Sequence, residues 1–309
     1  MGRYLLRRLL HLVPVFIVTT FLIYVLVWVL PGDPFAGKCG ERPCPPNYVQ
    51  MMTEKYHLDQ SVFVQYGSYM KALLFQGDFG TTYNGQSVND IIAQSYPNTV
   101  KLALVAVAIT ALIGLTAGVL TGLRRNGFAD NLVLVSTLFL IALPTFVTGF
   151  VLQWLFGVQL GLVRPTVSSE APLNELIIPG FVLGSVSMAY VSRLARTSIA
   201  ENRRADYVRT AIAKGLPMRR VVGVHLLRNS LIPVLTFIGT DIGSLMGGSI
   251  VTEGIFNING IGRQVYRAIL TKDSATVVSI VVLLVIVFLL ANLVIDLLYA
   301  ALDPRIRYE

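Results

Sequence analysis

Six apolar runs, each long enough to cross a bilayer, constrain this chain more than any other feature. The first, Leu9–Leu30, has 22 residues, about 33 Å as a helix. Five more follow at about 99–123, 131–156, 176–197, 231–255 and 275–302. A backbone in hydrocarbon must satisfy its own hydrogen bonds, so runs of this length fold as helices. Composition agrees: 54% of residues are hydrophobic, 14% are charged and the mean hydropathy is +0.66. These values describe a polytopic membrane protein and not a soluble core. Pro144 is expected to kink the third span, as membrane helices tolerate when neighbours satisfy the freed carbonyl.

The formal charge of +8 could suggest a nucleic-acid partner. Its distribution argues otherwise, because basic residues collect on the cytoplasmic side of membrane proteins. With the N-terminus inside, cytoplasmic parts hold 16 Lys and Arg and extracytoplasmic parts hold 8, with Lys101 at the outer edge of the second span. Both termini are therefore expected in the cytoplasm, with 303–309 as a short tail. The N-terminal run is read as a retained span, since a signal peptide has a shorter apolar core and a small-residue cleavage site.

Residues 31–98 are polar and read as an extracytoplasmic insert too poor in apolar pattern for its own core. Tyr48–Tyr56 and Val62–Phe75 are its expected short helices. Cys39 and Cys44 fall here, where an oxidising compartment favours a local disulfide. Two thiols do not make a zinc site, and no metal site is expected.

Ser198–Pro233 is the one long basic segment of an otherwise apolar chain. Asp206 reads as a helix N-cap. Tyr207, Val208, Ala211 and Ile212 then share one helical face. Gly215 suits the left-handed position after a helix, and Pro217 prevents continuation. Met218, Val221, Val222 and Leu226 mark a second apolar face, with Arg219, Arg220 and Arg228 around it. An exposed apolar face needs a cover, and the residues alone leave open the membrane interface or a partner's groove.

The segment resembles the EAA loop of ABC-importer permeases, in which Glu-Ala-Ala is followed by three residues and Gly. Arg209, Thr210 and Ala211 stand where Glu-Ala-Ala would, and Gly215 matches the glycine. Ile232 and Pro233 lie further from that glycine than in the general pattern. DYVRTAIAKGLPMRRVV, LPGDPF at 30–35, QGDFG at 76–80, YPNTVKLALVA at 96–106, NINGIGR at 257–263 and LYAALDPRIRY at 298–308 extend the likeness over nearly the whole chain. They are similar to B-type permeases of dipeptide and oligopeptide importers.

The resemblance implies an all-α membrane protein of six transmembrane helices with the type I importer permease fold, in the bacterial cell membrane. It implies a helix at 1–30, the insert at 31–98 and a transmembrane core at 99–302 carrying the coupling loop 198–233. Asp206, Tyr207, Val208, Thr210, Ala211, Ile212, Gly215, Arg219 and Arg220 would couple to an ATPase. Asp241, Ser244 and Gly247 would line the translocation path. The implied partners are a homologous second permease subunit, two ATPase subunits that use ATP and Mg, an extracytoplasmic binding protein, the peptide and the lipid bilayer. This chain would bind no cofactor itself. Nickel, glutathione or haem would be alternative cargoes of the same architecture.

No GxxxxGK[ST] occurs, and none of the six lysines precedes Ser or Thr, so no P-loop is present. HExxH and GxSxG are also missing. An intramembrane aspartyl protease would need paired carboxylates, but Asp241 and Asp296 fall at different depths of their spans. Asp241, mid-span, should face a wet path or a hydrogen-bonding partner such as Thr240 or Ser244. Asp296 should reach the interface or pair locally. A secondary transporter is disfavoured, since no convincing internal repeat appears. Gly114, Gly118 and Gly122, Gly180 and Gly184, and Gly239, Gly243 and Gly247 form stripes that let helices approach closely. The first is read as packing within the subunit, and the resemblance places the last at the path.

Overall fold

The computed structural model describes residues 2–28, 44–247 and 249–302. The described residues are predominantly helical, with one isolated bridge between Thr81 and Ser87. The helices are α1 (Gly2–Trp28), α2 (Pro46–Tyr56), α3 (Val62–Gln76), α4 (Val88–Ile109), α5 (Thr116–Leu123), α6 (Phe128–Ala142) and α7 (Thr145–Leu152). They continue with α8 (Ile177–Asn202), α9 (Asp206–Ala213), α10 (Met218–Arg220), α11 (Leu227–Ser230), α12 (Ile232–Gly247), α13 (Ile250–Ile255), α14 (Ile261–Leu270) and α15 (Ser274–Leu302). Three π-helical stretches, Thr110–Leu115, Gln153–Gln159 and Val221–Leu226, join helices to what precedes or follows them.

Among the described residues four helices are long and apolar enough to cross a membrane, or up to six if each of two bent pairs is one span. Two of the expected spans are each made of more than one helix. Phe128–Ala142 and Thr145–Gln159 meet at 104°, a sharp turn where a kink was expected. Leu143 is extended, at φ −83° and ψ 127°, and Pro144 caps the next helix. Proline disfavours helical geometry in the residue before it and gives no N–H of its own, so the ladder stops. The run 231–255 is likewise two helices, α12 and α13, and Met218–Ser230 leads into α12 through a 45° bend.

The chain divides into two compact units, 1–99 with 259–309 and 100–258. In the first, α1 packs on α15. Met70 and Leu73 of α3 bury their side chains with Tyr24 of α1 and Val278 and Val282 of α15. Phe21 stacks on Phe63 with centroids 5.4 Å apart. Asp273 caps α15, accepting from Thr276 N at 3.2 Å and also from Tyr83 N at 3.2 Å. Asp296 pairs with Arg8, a partner far away in sequence on α1.

In the second unit α8 is the central helix. Gly114, Gly118 and Gly122 lie against it, with no room for side chains. A Cβ at Gly118 would sit 2.5 Å from Ser192 O and 2.6 Å from Ala195 Cβ. The reverse face behaves alike: a Cβ at Gly184 would sit 2.7 Å from Thr110 Oγ1 and 2.9 Å from Ala106 O. Such contact gains dispersion and costs little side-chain entropy, which is how apolar helices associate in lipid.

Candidate coupling segment and transport path

The basic segment folds as a closed corner. Asp206 is the first helical residue and not the N-cap; Ala205 holds that position and no side chain caps the helix. Asp206 is exposed, 3.9 Å from Arg209, and its carbonyl accepts from Thr210 Oγ1 at 2.8 Å. Gly215 has φ +73°, the left-handed geometry expected of it. Its N–H donates to Ile212 O at 2.9 Å, and Leu216 N donates to Ala211 O at 3.3 Å. This pair of bonds is a Schellman motif, and the residue after the glycine buries its side chain against the helix, as that motif favours.

The apolar face of the first short helix is not left open, which corrects the expectation that it needs an outside cover. Val208 and Ala211 are buried with Ile199, Val221 and Leu226 of the same unit. Leu216, Val222 and Leu227 close the cluster. Tyr207 and Ile212, expected on that face, are exposed instead, and Tyr207 donates to Asn202 Oδ1 at 2.6 Å. Two residues a turn apart fit the inner seam, while their neighbours fall on its rim. The outer surface therefore carries Tyr207, Ile212, Met218 and Val224 among Arg209, Thr210, Lys214, Arg219 and Arg220.

Charged side chains tie α8 and the start of this corner to the helices behind it. Arg196 of α8 grips Asp130 of α6 with two bonds, at 2.5 and 2.8 Å, and Asp130 is 1% exposed. Asp130 also accepts from Asn126 N at 2.8 Å. Arg203 donates to Leu123 O at 2.8 Å, satisfying a terminal carbonyl of α5.

In α12, Thr236, Thr240 and Ser244 recur every fourth residue and so share a face. Thr236 donates to Ile232 O at 2.9 Å, Thr240 to Phe237 O at 2.9 Å and Ser244 to Asp241 O at 2.8 Å. Asp241 is half-buried, and Ser244 Oγ lies 3.2 Å from its Oδ1. Gly247 ends the helix. Asp241 and Ser244 are thus one turn apart and in contact, within a polar stripe on an apolar helix. Polar groups at membrane depth face a wet cavity or a partner.

One acid was missed. Glu253 of α13 is 0% exposed and accepts from the Ser249 hydroxyl one turn earlier. It lies inside the run 231–255, so inspecting every acid in the apolar runs would have found it. Glu253 O accepts from Ile258 N at 2.9 Å and Phe256 O from Val167 N at 2.9 Å. Cys44 is disulfide-bonded, while Cys39, the other half of the expected pair, lies outside the described residues.

The arrangement is a polar stripe within a broken span, joined to an anchored basic corner. Comparison with known proteins shows the family. Residues 113–308 match the model of the binding-protein-dependent transport system inner membrane component, and 1–103 match the corresponding N-terminal model. The dipeptide transport system permease protein DppB of Alkalihalophilus pseudofirmus is 34% identical, over 99% of each chain. The oligopeptide transport system permease protein OppB of Haemophilus influenzae is 35% identical over the whole of both chains. The glutathione transport system permease protein GsiC of Salmonella paratyphi A is also 35% identical over both full lengths. The chain belongs to the family of inner membrane components of binding-protein-dependent transport systems. It is a multi-pass protein of the bacterial inner membrane.

Proposed function

We propose that this chain is the permease subunit of an ATP-driven importer of dipeptides or oligopeptides, forming half of the translocation pathway. The observation that carries the reading is full-length similarity to permeases named for those cargoes. The second half is a homologous permease subunit. Two separate ATPase subunits use ATP and Mg, and an extracytoplasmic binding protein delivers cargo. This chain hydrolyses no ATP and holds no cofactor. Both termini face the cytoplasm, in line with the Lys and Arg asymmetry.

The outer surface of the basic corner docks the ATPases. Tyr207, Thr210, Ile212, Arg219 and Arg220 make the contact, with Asp206 at the helix start. Val208, Ala211 and Gly215 act from inside by fixing the corner's shape. Movement of the corner passes through the 45° bend into α12, where Asp241, Ser244 and Gly247 border the path. Glutathione, itself a small peptide, is the second reading, favoured by the likeness to GsiC.

Uptake of labelled di-, tri- and longer peptides by a knockout carrying the gene in trans tests the proposal, with glutathione as competitor. Peptide uptake restored by the gene supports it. Restored glutathione uptake without peptide uptake selects the second reading, and restoration of neither overturns both.

A further inference from the structure

The unit formed by 1–99 and 259–309 contains a cavity of about 300 Å³, lined by none of the residues assigned above to the transport path. Five aromatic rings line its wall, Phe79 and a row of four. Tyr69 and Tyr24 have centroids 5.9 Å apart, Tyr24 and Trp28 6.1 Å, and Trp28 and Tyr56 5.4 Å. Asp78 also lines the cavity, and no Lys or Arg does. The Asp78 carboxylate is held by Gly80 N, which donates to Oδ1 at 2.8 Å and leaves Oδ2 unused among the described residues. Tyr69 Oη is buried with no partner at full hydrogen-bond distance, beside the Ser279 hydroxyl, which donates to Phe79 O.

Each part asks for a different ligand group. Ring faces attract cations through their quadrupole, most strongly at tryptophan. A carboxylate beside them adds a full negative charge, and His57 is the one basic side chain in the wall. A buried hydroxyl left unpaired is costly, and it needs an acceptor. We propose that this cavity binds a primary ammonium group whose neighbouring carbonyl or phosphoryl oxygen accepts from Tyr69. Two sources carry that pair: the amino terminus of a short peptide, and the ethanolamine headgroup of a bilayer lipid. The inference stands on the chemistry of the wall and holds whatever cargo the path carries.

Trp28 is a built-in reporter. The chain has two tryptophans, and Trp154→Phe leaves Trp28 as the sole emitter. The full-length chain is placed in nanodiscs of phosphatidylglycerol, which lacks an ammonium, and titrated with trialanine or N-acetyl-trialanine. A second arm uses nanodiscs containing phosphatidylethanolamine. A saturable change in Trp28 emission with trialanine, missing with the acetylated peptide, identifies a peptide amino terminus. A shift on entering phosphatidylethanolamine discs, without a trialanine response, identifies the headgroup. In either case Asp78→Asn should raise the midpoint at least about fivefold, the scale of one partly exposed cationic contact. Tyr69→Phe should weaken binding as well. Both substitutions keep side-chain shape, and Asn can still accept from Gly80. No response in either arm, an equal response to the acetylated peptide, or midpoints unchanged in both variants would overturn the proposal.

Discussion

Two parts of the second unit solve the same problem in opposite ways. Along the α5–α8 seam, glycines bring backbones so close that a single Cβ would collide with a carbonyl oxygen. Along α12 and α13 the helix is broken after Gly247, carries exposed hydroxyls and holds two carboxylates, Asp241 and Glu253. Close-packed seams have few alternative arrangements and transmit strain. A broken helix with polar groups can rearrange, because its hydrogen bonds have other partners. In the proposed function the seam is the frame, and span five is the element proposed to move against it.

The largest effect should come from breaking the frame. Gly118→Leu is expected to remove the protein from the membrane, since overpacking costs about 1–3 kcal/mol and backbone collisions cost more. Quantitative immunoblots of membranes check it, with Gly223→Ala as the control at a position where nothing lies within 4 Å. Next is Asp130→Ala, which strands Arg196 and should cost about 3–5 kcal/mol. Thermal unfolding in detergent should show the loss, and the Asp130→Ala, Arg196→Met double variant should recover part of it.

Effects on the moving part should leave abundance intact. Gly215→Val strains a left-handed residue by about 1–2 kcal/mol, with open space around it. ATP hydrolysis by the assembled transporter should continue while uptake falls; full uptake would remove the corner from the coupling route. Ala211→Arg should behave like a frame variant and lower abundance, because Ala211 is 4% exposed inside the chain. Asp241→Asn should reduce uptake several-fold at normal abundance. Asp296→Asn should act mainly on thermal stability, since it loses the Arg8 partner. Equal wild-type uptake in both would take Asp241 off the path.

The smallest effect concerns the 160–176 loop. Glu175 accepts from Ser168 N at 2.7 Å and Ser168 Oγ at 2.8 Å. The backbone N–H, the hydroxyl and then Arg164 hold its pKa below the usual carboxylate range. A carboxylate with a lowered folded pKa stabilises above its ordinary value of about 4.3 and loses that contribution as pH falls through the folded value. Loop proteolysis should therefore rise below about pH 4 in the parent. Glu175→Gln should show the higher rate at neutral pH with little further change.

Much of this was legible because local physics decided it. Apolar length marked the spans, and the two short helices α2 and α3 were expected within two residues of their observed bounds. Gly215 was readable because a left-handed helix end strongly favours glycine. The glycine stripe at 114, 118 and 122 was readable because spacing alone puts small residues on one face. Tertiary partners were not. Val208 and Ala211 look like an open face until Ile199, Val221 and Leu226 are seen to cover them. Pro144 reads as a kink, but whether a freed ladder bends slightly or turns through 104° depends on what neighbours fill the gap. Glu253 went unnoticed because a buried acid and an exposed one look alike in sequence, and only burial separates them.

The π-helical stretch Val221–Leu226 sets a phase. A wider turn holds one more residue than an α-turn, and one residue corresponds to about 100° around an α-helix. Arg219 and Arg220 are therefore turned by about 100° around the axis of the Met218–Ser230 helix, compared with an all-α stretch, ahead of the 45° bend into the helix that carries the Thr236–Thr240–Ser244 stripe. The angle between the basic surface and the polar stripe is written into the chain as a count of residues. A single insertion or deletion between 221 and 226 would rotate one against the other while leaving every side chain of both intact.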